Sequence, residues 1–447
     1  MGIGVQQAVF FPIEITTREY AGHLLLATEL AARGVKCVIG HKAPVVDTLH
    51  HFSDTGARGV LYYKGDNRRK YSGAGFIAVG QDPEAGVVFD DFSDFYARRP
   101  HSLQQLDSSA AYFCFGPDDY EFLRAQYGES SGRIHPTGSP RVELWGDAGA
   151  RFRECQVQSI KERYGDFVLI ASGGGRGNPH ALQRLQACSD SSEANAIRER
   201  LARGERRASL LAKCARNIIQ AEGLNVVVRP HPAESWKRWR EDAASIPGLY
   251  VDSAGDLNAW VRAAAAVVQN SSTTAFESWF AGTPVLAFGE SFDDIYAGDA
   301  QGQTPNHIAM PAVGQDGLLA AFESLESRWQ EHKANPAPQK VIERKLYPPG
   351  SGAVQAITDI IEGLVDEAAP SLRPLPPASW LRQYGAMAKR GQFGREKLGR
   401  RRPPPTKKWP LTLRRVRADV EAAREILGVQ QSVSVRKLAP NTFLVGT

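Results

Sequence analysis

Short apolar runs rich in β-branched residues alternate along this chain with longer stretches whose apolar positions recur every three or four residues, from about residue 7 to about residue 365. Runs of the first kind read as strands buried on both faces, and stretches of the second as helices that cover them. The pattern predicts an α/β chain with doubly wound sheets. It opens with an expected strand over residues 7–15, a helix over 18–33 stopped by Gly34, and a strand over 35–39, a βαβ unit whose crossover should be right-handed. Further strands are expected at 59–63, 76–79 and 111–115, the last followed by a helix to Tyr127. Gly138 and Pro140 mark a tight bend, and a polar helical stretch over 145–165 reads as a connection between domains.

A second set of strands is expected at 167–171, 226–228, 249–251, 266–268 and 284–287. A long helical region over 189–221 precedes the second of these. Helices near 314–329 and 352–365 are expected to close this set. With 447 residues the chain is too long for one ordinary domain. The expected division is 1–150, 151–366 and 367–447: two Rossmann-like doubly wound domains facing a cleft, then a Pro-rich basic extension with an amphipathic helix.

Charge sharpens that last boundary. From Ser371 onward there are 17 Lys plus Arg against 4 Asp plus Glu, a balance of +13, which leaves −8 for the residues before it. An acidic body with a basic extension argues against a general nucleic-acid binder. Basic residues with Trp380 and Trp409 suit an interfacial segment on an anionic leaflet, and equally a solvated extension with one packing helix at 411–427. The five cysteines are scattered without a C-x-x-C pair, so a reducing compartment is expected rather than a disulfide or zinc framework. No apolar run is long enough to span a bilayer and no secretory signal is evident, so the expectation is a cytoplasmic protein, peripheral on the inner membrane face if the extension docks there.

Candidate chemistry sits at the carboxyl ends of expected strands, where open α/β sheets bind ligands. Val226–Val228 runs into Arg229-Pro230-His231-Pro232, placing a cation and a proline-braced imidazole there. The next such end is Asn270-Ser271-Ser272-Thr273 before a helix carrying Glu277, a start suited to an anion, although Ser271 or Ser272 serves equally as a simple N-cap. Gly173 and Gly174 follow another strand in a loop that lets backbone approach a phosphate, yet match neither the P-loop nor the dinucleotide fingerprint. Asp82 and Glu84 offer a general base or nucleophile, or an acidic turn. Glu14, Arg18 and Arg141 are candidate acceptor-side or cleft-lining residues, Glu14 and Arg18 being also a plausible local ion pair. No metal-ligand spacing is present, so metal-independent chemistry without a cofactor is expected.

Phe11-Pro12-Ile13-Glu14, Gly138-Ser139-Pro140-Arg141-Val142-Glu143-Leu144, Arg229-Pro230-His231-Pro232 and Asn270-Ser271-Ser272-Thr273 together resemble the bacterial surface carbohydrate biosynthesis proteins. These are GT-B-like glycosyltransferases of capsule and lipopolysaccharide assembly, similar to sialyl- and Kdo transferases that use CMP-sugars. The resemblance covers roughly residues 5–365. It implies a CMP-linked donor, best read as CMP-Kdo or a related ulosonic acid, and a glycan or glycolipid acceptor. It implies that His231 assists departure of CMP, that Ser271, Ser272 and Thr273 bind its phosphate, and that Glu277 holds the ribose. The carboxylate role would fall on Asp82 or Glu84. A polyol-phosphate transferase of the CDP-glycerol type shares this logic, a sugar-nucleotide epimerase is more distant, and a non-catalytic scaffold of a polysaccharide-assembly complex is the reading from another class.

Overall fold

A computed structural model of the chain describes residues 7–53, 58–63, 76–82, 87, 92–97, 106, 109–173, 177–231, 234–296, 303–365, 376–389 and 410–447. They form two compact units. One holds the described residues up to Phe152, Val87 apart, together with Glu343–Thr447, and the other holds Arg153–Ile342.

In the first unit β1 (Gln7–Ile13), β2 (Cys37–His41), β3 (Arg58–Tyr63), β4 (Ile77–Gly80), β5 (Ala111–Phe113) and β6 (Ile134–His135) lie parallel in the order β2-β1-β3-β4-β5-β6. β1 shows why these strands read as unbroken apolar runs. Val9, Phe11 and Ile13 enter a core on one face of the sheet, while Ala8 and Phe10 enter a core on the other. With both faces covered, no position calls for a polar side chain. The helix Thr16–Ala32 covers the first of these faces through Leu24, Ala27, Leu30 and Ala31.

In the second unit β7 (Phe167–Ala171), β8 (Asn225–Arg229), β9 (Leu249–Val251), β10 (Ala266–Gln269), β11 (Val285–Gly289) and β12 (Met310–Val313) are all parallel, in the order β12-β11-β10-β7-β8-β9. The chain winds outward from β7 to β9 on one side and from β10 to β12 on the other. The winding reverses between β7 and β10, the point at which such sheets open a crevice at their carboxyl edge.

The expected C-terminal boundary differs from the structure. Residues 410–447 carry a helix, Leu413–Leu427, and a hairpin of β13 (Ser434–Ala439) and β14 (Thr442–Gly446), and β14 pairs antiparallel with β2. The expected apolar helix face is present: Val416, Val420 and Ala423 are buried beside Phe443 and Val445 in the first unit's core. Tyr20 Oη donates to Asp419 Oδ2 at 2.8 Å and ties this helix to Thr16–Ala32. Gly40 in β2 lets the hairpin close, because a Cβ there would overlap the Asn441 carbonyl oxygen. The charges of this segment face outward and hide a packed element in the composition.

The helix Ala353–Glu362, expected to close the second sheet, also joins the first unit. Val354, Ile357 and Ile361 reach its core, and Arg33 bridges to Asp359 at 2.6 Å and Glu362 at 2.9 Å. The stretch around Arg400–Trp409 lies outside the described residues, whereas Trp380 carries the Lys437 ammonium 5.1 Å from its ring centroid. No described helix is long and apolar enough to cross a membrane.

Candidate functional site

The register of the second sheet sets Gln269 opposite Ala171 and Ala171 opposite Arg229. The loops leaving β10, β7 and β8 therefore start side by side on one edge, with about 5 Å between adjacent strands. They also touch. The His231 N–H donates to Ser172 Oγ at 2.9 Å, and a Cβ on Gly173 would stand 2.8 Å from the Asn270 carbonyl oxygen. Gly173 is required twice over, by that approach and by its φ of +71°.

His231 is exposed at the sheet edge while its backbone is pinned from below. The anchor is Glu234, a buried carboxylate that sequence reasoning missed. Its Oε2 accepts from Ser172 Oγ at 2.6 Å, from Trp239 Nε1 at 3.0 Å and from His231 N–H at 3.3 Å. A buried carboxylate with three donors is satisfied in place, so it fixes where the imidazole starts.

At the end of β10, Ser271 has φ +60°, a left-handed conformation that costs a non-glycine residue about 1–2 kcal/mol. Side-chain amides hold it. The Ser271 N–H donates to Asn306 Oδ1 at 2.8 Å and the Ser272 N–H to Gln269 Oε1 at 2.7 Å. Ser272 Oγ is the turn's internal cap, accepting from the Thr274 N–H at 3.3 Å. The N-cap residue of the helix Thr274–Ala281 is Thr273, with no side-chain capping bond. Two of the three expected phosphate contacts are thus already engaged within the loop, and Thr273 is left at the helix start. Glu277 is buried one turn into this helix.

Arg229 does not present its guanidinium at the edge. Nη1 and Nη2 donate to the carbonyls of Ala254 at 3.3 Å and Gly255 at 2.9 Å, over the Trp260 ring. Burial pushes it down to about 10, against the pull of Asp256, Asp252 and Glu277. A cation beside the Ser172–Gly173 loop is Arg207, from the helix Ser191–Glu222, with Nη1 3.6 Å from a Cβ on Gly173. Nothing in the sequence separates Arg207 from the other arginines of that helix.

The first unit has a pocket of its own, lined by Arg18, Glu19, Gly22, His23, Tyr62, Gln81, Ser139, Pro140 and Arg141. Arg18 and Arg141, far apart in sequence, thus line one recess. Arg18 pairs with Glu19 at 3.3 Å, and Glu19 also accepts from the N–H groups of Glu14 at 2.7 Å and Ile15 at 3.2 Å. Glu14 is not among the lining residues. Asp82 follows Gln81 but is buried where its charge acts on Tyr112 and Asp119. Glu84, Gly174 and Pro232 lie outside the described residues. Among the described residues no cluster of three or more His, Cys, Asp or Glu is placed to hold a metal ion.

No family model and no curated protein matches the chain. Solved structures do. A wall teichoic acid polymerase TagF variant soaked with CDPG aligns at TM-score 0.53 and 10% identity, over 80% of this chain and 88% of that one. A putative UDP-N-acetylglucosamine 2-epimerase from Listeria monocytogenes aligns at TM-score 0.50 and 12% identity, over 82% of this chain and 98% of that one. At such identities the likeness is one of fold, and the fold is GT-B-like, built on two Rossmann-like units.

Proposed function

We propose that this protein is a metal-independent GT-B transferase of surface-polymer assembly. In this reading the second unit binds a nucleotide-activated donor and the first unit an acceptor bearing a hydroxyl. The observation that carries it is the meeting of Ser172–Gly173, His231 and Ser271–Thr273 at the carboxyl ends of three adjacent parallel strands. The donor is read as cytidylyl: a CMP-linked ulosonic acid such as CMP-Kdo, or a CDP-linked polyol of the kind that the TagF likeness suggests.

The acceptor oxygen attacks the anomeric carbon of a sugar donor, or the phosphorus of a polyol-phosphate donor, and the bond to the departing nucleotide phosphate breaks. Asp82 or Glu84 takes the acceptor proton. Charge growing on the leaving phosphate is met by His231, Arg207 and the Thr273 N–H at the helix start, donors fixed before reaction begins. Glu277 is assigned to the ribose.

Nucleotide release from CMP-Kdo, CMP-sialic acid, CDP-glycerol and UDP-sugars, each with candidate acceptors, ranks the donors. His231→Ala is expected to lower turnover on the preferred donor by about tenfold or more, with an unchanged circular dichroism spectrum. Unaltered turnover in that variant removes His231 from the chemistry.

A further inference from the structure

β11 ends at Gly289 on the same edge of the second sheet as β10, and the chain after it forms the short helix Phe292–Tyr296. Two buried amides fasten that turn to the serine turn. Asn270 Nδ2 donates to the carbonyls of Phe288 at 3.0 Å and Asp294 at 3.1 Å, and Asn306 Nδ2 donates to the Ile295 carbonyl at 2.7 Å. Asn306 Oδ1 at the same time accepts from the Ser271 N–H and, at 3.1 Å, from Gln269 Nε2. The turn also closes on itself. Asp294 Oδ2 accepts from the N–H groups of Glu290 at 3.0 Å and Ser291 at 3.1 Å, and a Cβ on Gly289 would stand 2.7 Å from Ile295 Cγ1. The loops after β10 and β11 are thus held as one piece.

What this fixed turn presents is aromatic. Phe292 is 61% exposed. Its ring lies 15° from parallel with that of Tyr296, 6.3 Å between centroids, and Tyr296 stacks in turn on His307 of the helix Thr304–His307 at 5.2 Å and 27°. A single exposed Phe needs no explanation by itself. Three rings in a near-parallel row, on a turn bolted to an anion-binding loop, are a platform already ordered before anything lies on it, so little freedom is lost when a further flat surface is added.

Glu277 sets the direction in which a donor runs across the edge. Its charge acts on Arg229 of β8, so it lies toward the β8 side of β10, away from β11. With the ribose at Glu277 and the phosphate at Ser271–Thr273, the transferred unit leaves the phosphate toward β11, where the row of rings stands. A pyranose ring has a flat face of C–H groups that lies well against an aromatic ring, and an acyclic polyol has none. We propose that Phe292 is a specificity-determining residue, whose ring, backed by Tyr296 and His307, stacks on the transferred sugar and so selects a pyranose donor over a polyol-phosphate one. The assignment rests on the transferase reading, which supplies the direction of the donor.

The test is isothermal titration calorimetry of the full-length protein with three pairs: CMP and CMP-sialic acid, UDP and UDP-N-acetylglucosamine, CDP and CDP-glycerol. Within each pair the ratio of affinities isolates the transferred unit. For a pyranose pair that binds, Phe292→Ala is expected to weaken the nucleotide sugar about fivefold and to leave the free nucleotide unchanged. Phe292→Tyr should keep the wild-type ratio, and Phe292→Leu, apolar but not flat, should lose it. Melting curves confirm the fold of each variant. An unchanged ratio in Phe292→Ala overturns the proposal, as does an equal loss for nucleotide and nucleotide sugar, an equal loss for CDP-glycerol, or a preference of the wild type for CDP-glycerol over both nucleotide sugars. Should no nucleotide bind the wild type, the transferase reading itself falls; ordinary nucleotide binding with an indifferent Phe292 sinks the platform alone.

Discussion

Arg207 and Arg229 bring the same charge into the second unit and do different things with it. Arg229 spends its hydrogen bonds on two carbonyls and its flat face on Trp260, so Arg229→Ala is expected to cost about 1–3 kcal/mol of stability. Arg207→Ala is expected to weaken nucleotide binding by about tenfold, the loss of a charge-assisted contact. Denaturant melts and nucleotide titrations on both variants check this, and equal loss of nucleotide affinity would return the phosphate role to Arg229. Asp119 is a different case. Burial raises its carboxyl to about 7, although Tyr96 Oη at 2.9 Å and the Phe115 N–H at 3.2 Å favour the ionised form. A carboxyl whose folded value is raised binds more protons folded than unfolded, so its share of stability is full below about pH 4 and lost as pH rises through about 7. Urea melts at pH 5 and pH 8 should show a fall that Asp119→Asn reduces; an identical fall in that variant would count against it. The placing of His231 and the serines at strand ends was legible because strand ends follow from apolar runs. The places of Arg207 and Glu234 were not, since folded neighbours set them and leave no local signature.

At the scale of elements, ten of the twelve parallel strands were legible, with bounds that differ by a residue or two, whereas the short β6 (Ile134–His135) and β12 (Met310–Val313) carry too little apolar run to be read. The hairpin of β13 and β14 was not read: Val433 and Val435 alternate, but a register shift between Lys437 and Ala439 breaks the period before the Pro440-Asn441 turn, and Phe443 and Val445 resume it after. The surrounding basic charge drew attention to partners outside the chain, while the apolar half of the alternation filled the core inside it. Asn441 shows what makes the turn work. It sits at φ +54° and its Oδ1 accepts from the Leu411 N–H at 2.8 Å, joining the hairpin to the approach of the helix. Removing residues 410–447 is therefore expected to destabilise the first unit rather than merely detach a surface anchor. Phe443→Ala, a smaller cut at the same place, should cost about 3–5 kcal/mol. Limited proteolysis and melting of the truncated chain decide this; an unchanged melting temperature would mean that the hairpin is an appendage.

For the whole molecule, the fold class followed from the alternation of strands and helices, while the partition of the chain did not. Periodicity reports what an element buries and is silent on which sheet receives it, so Ala353–Glu362 and the C-terminal hairpin were given the wrong company. The first unit is assembled from chain on both sides of the second, and its sheet is finished at β2 by β14. On a ribosome this imposes a timetable. Arg153–Ile342 emerges as one continuous piece and has all its strands in hand, whereas β2 waits with an unpaired rim until β14 has been translated. A nascent chain stalled before residue 442 would then hold a finished second half and a first half still open to strand exchange with its neighbours.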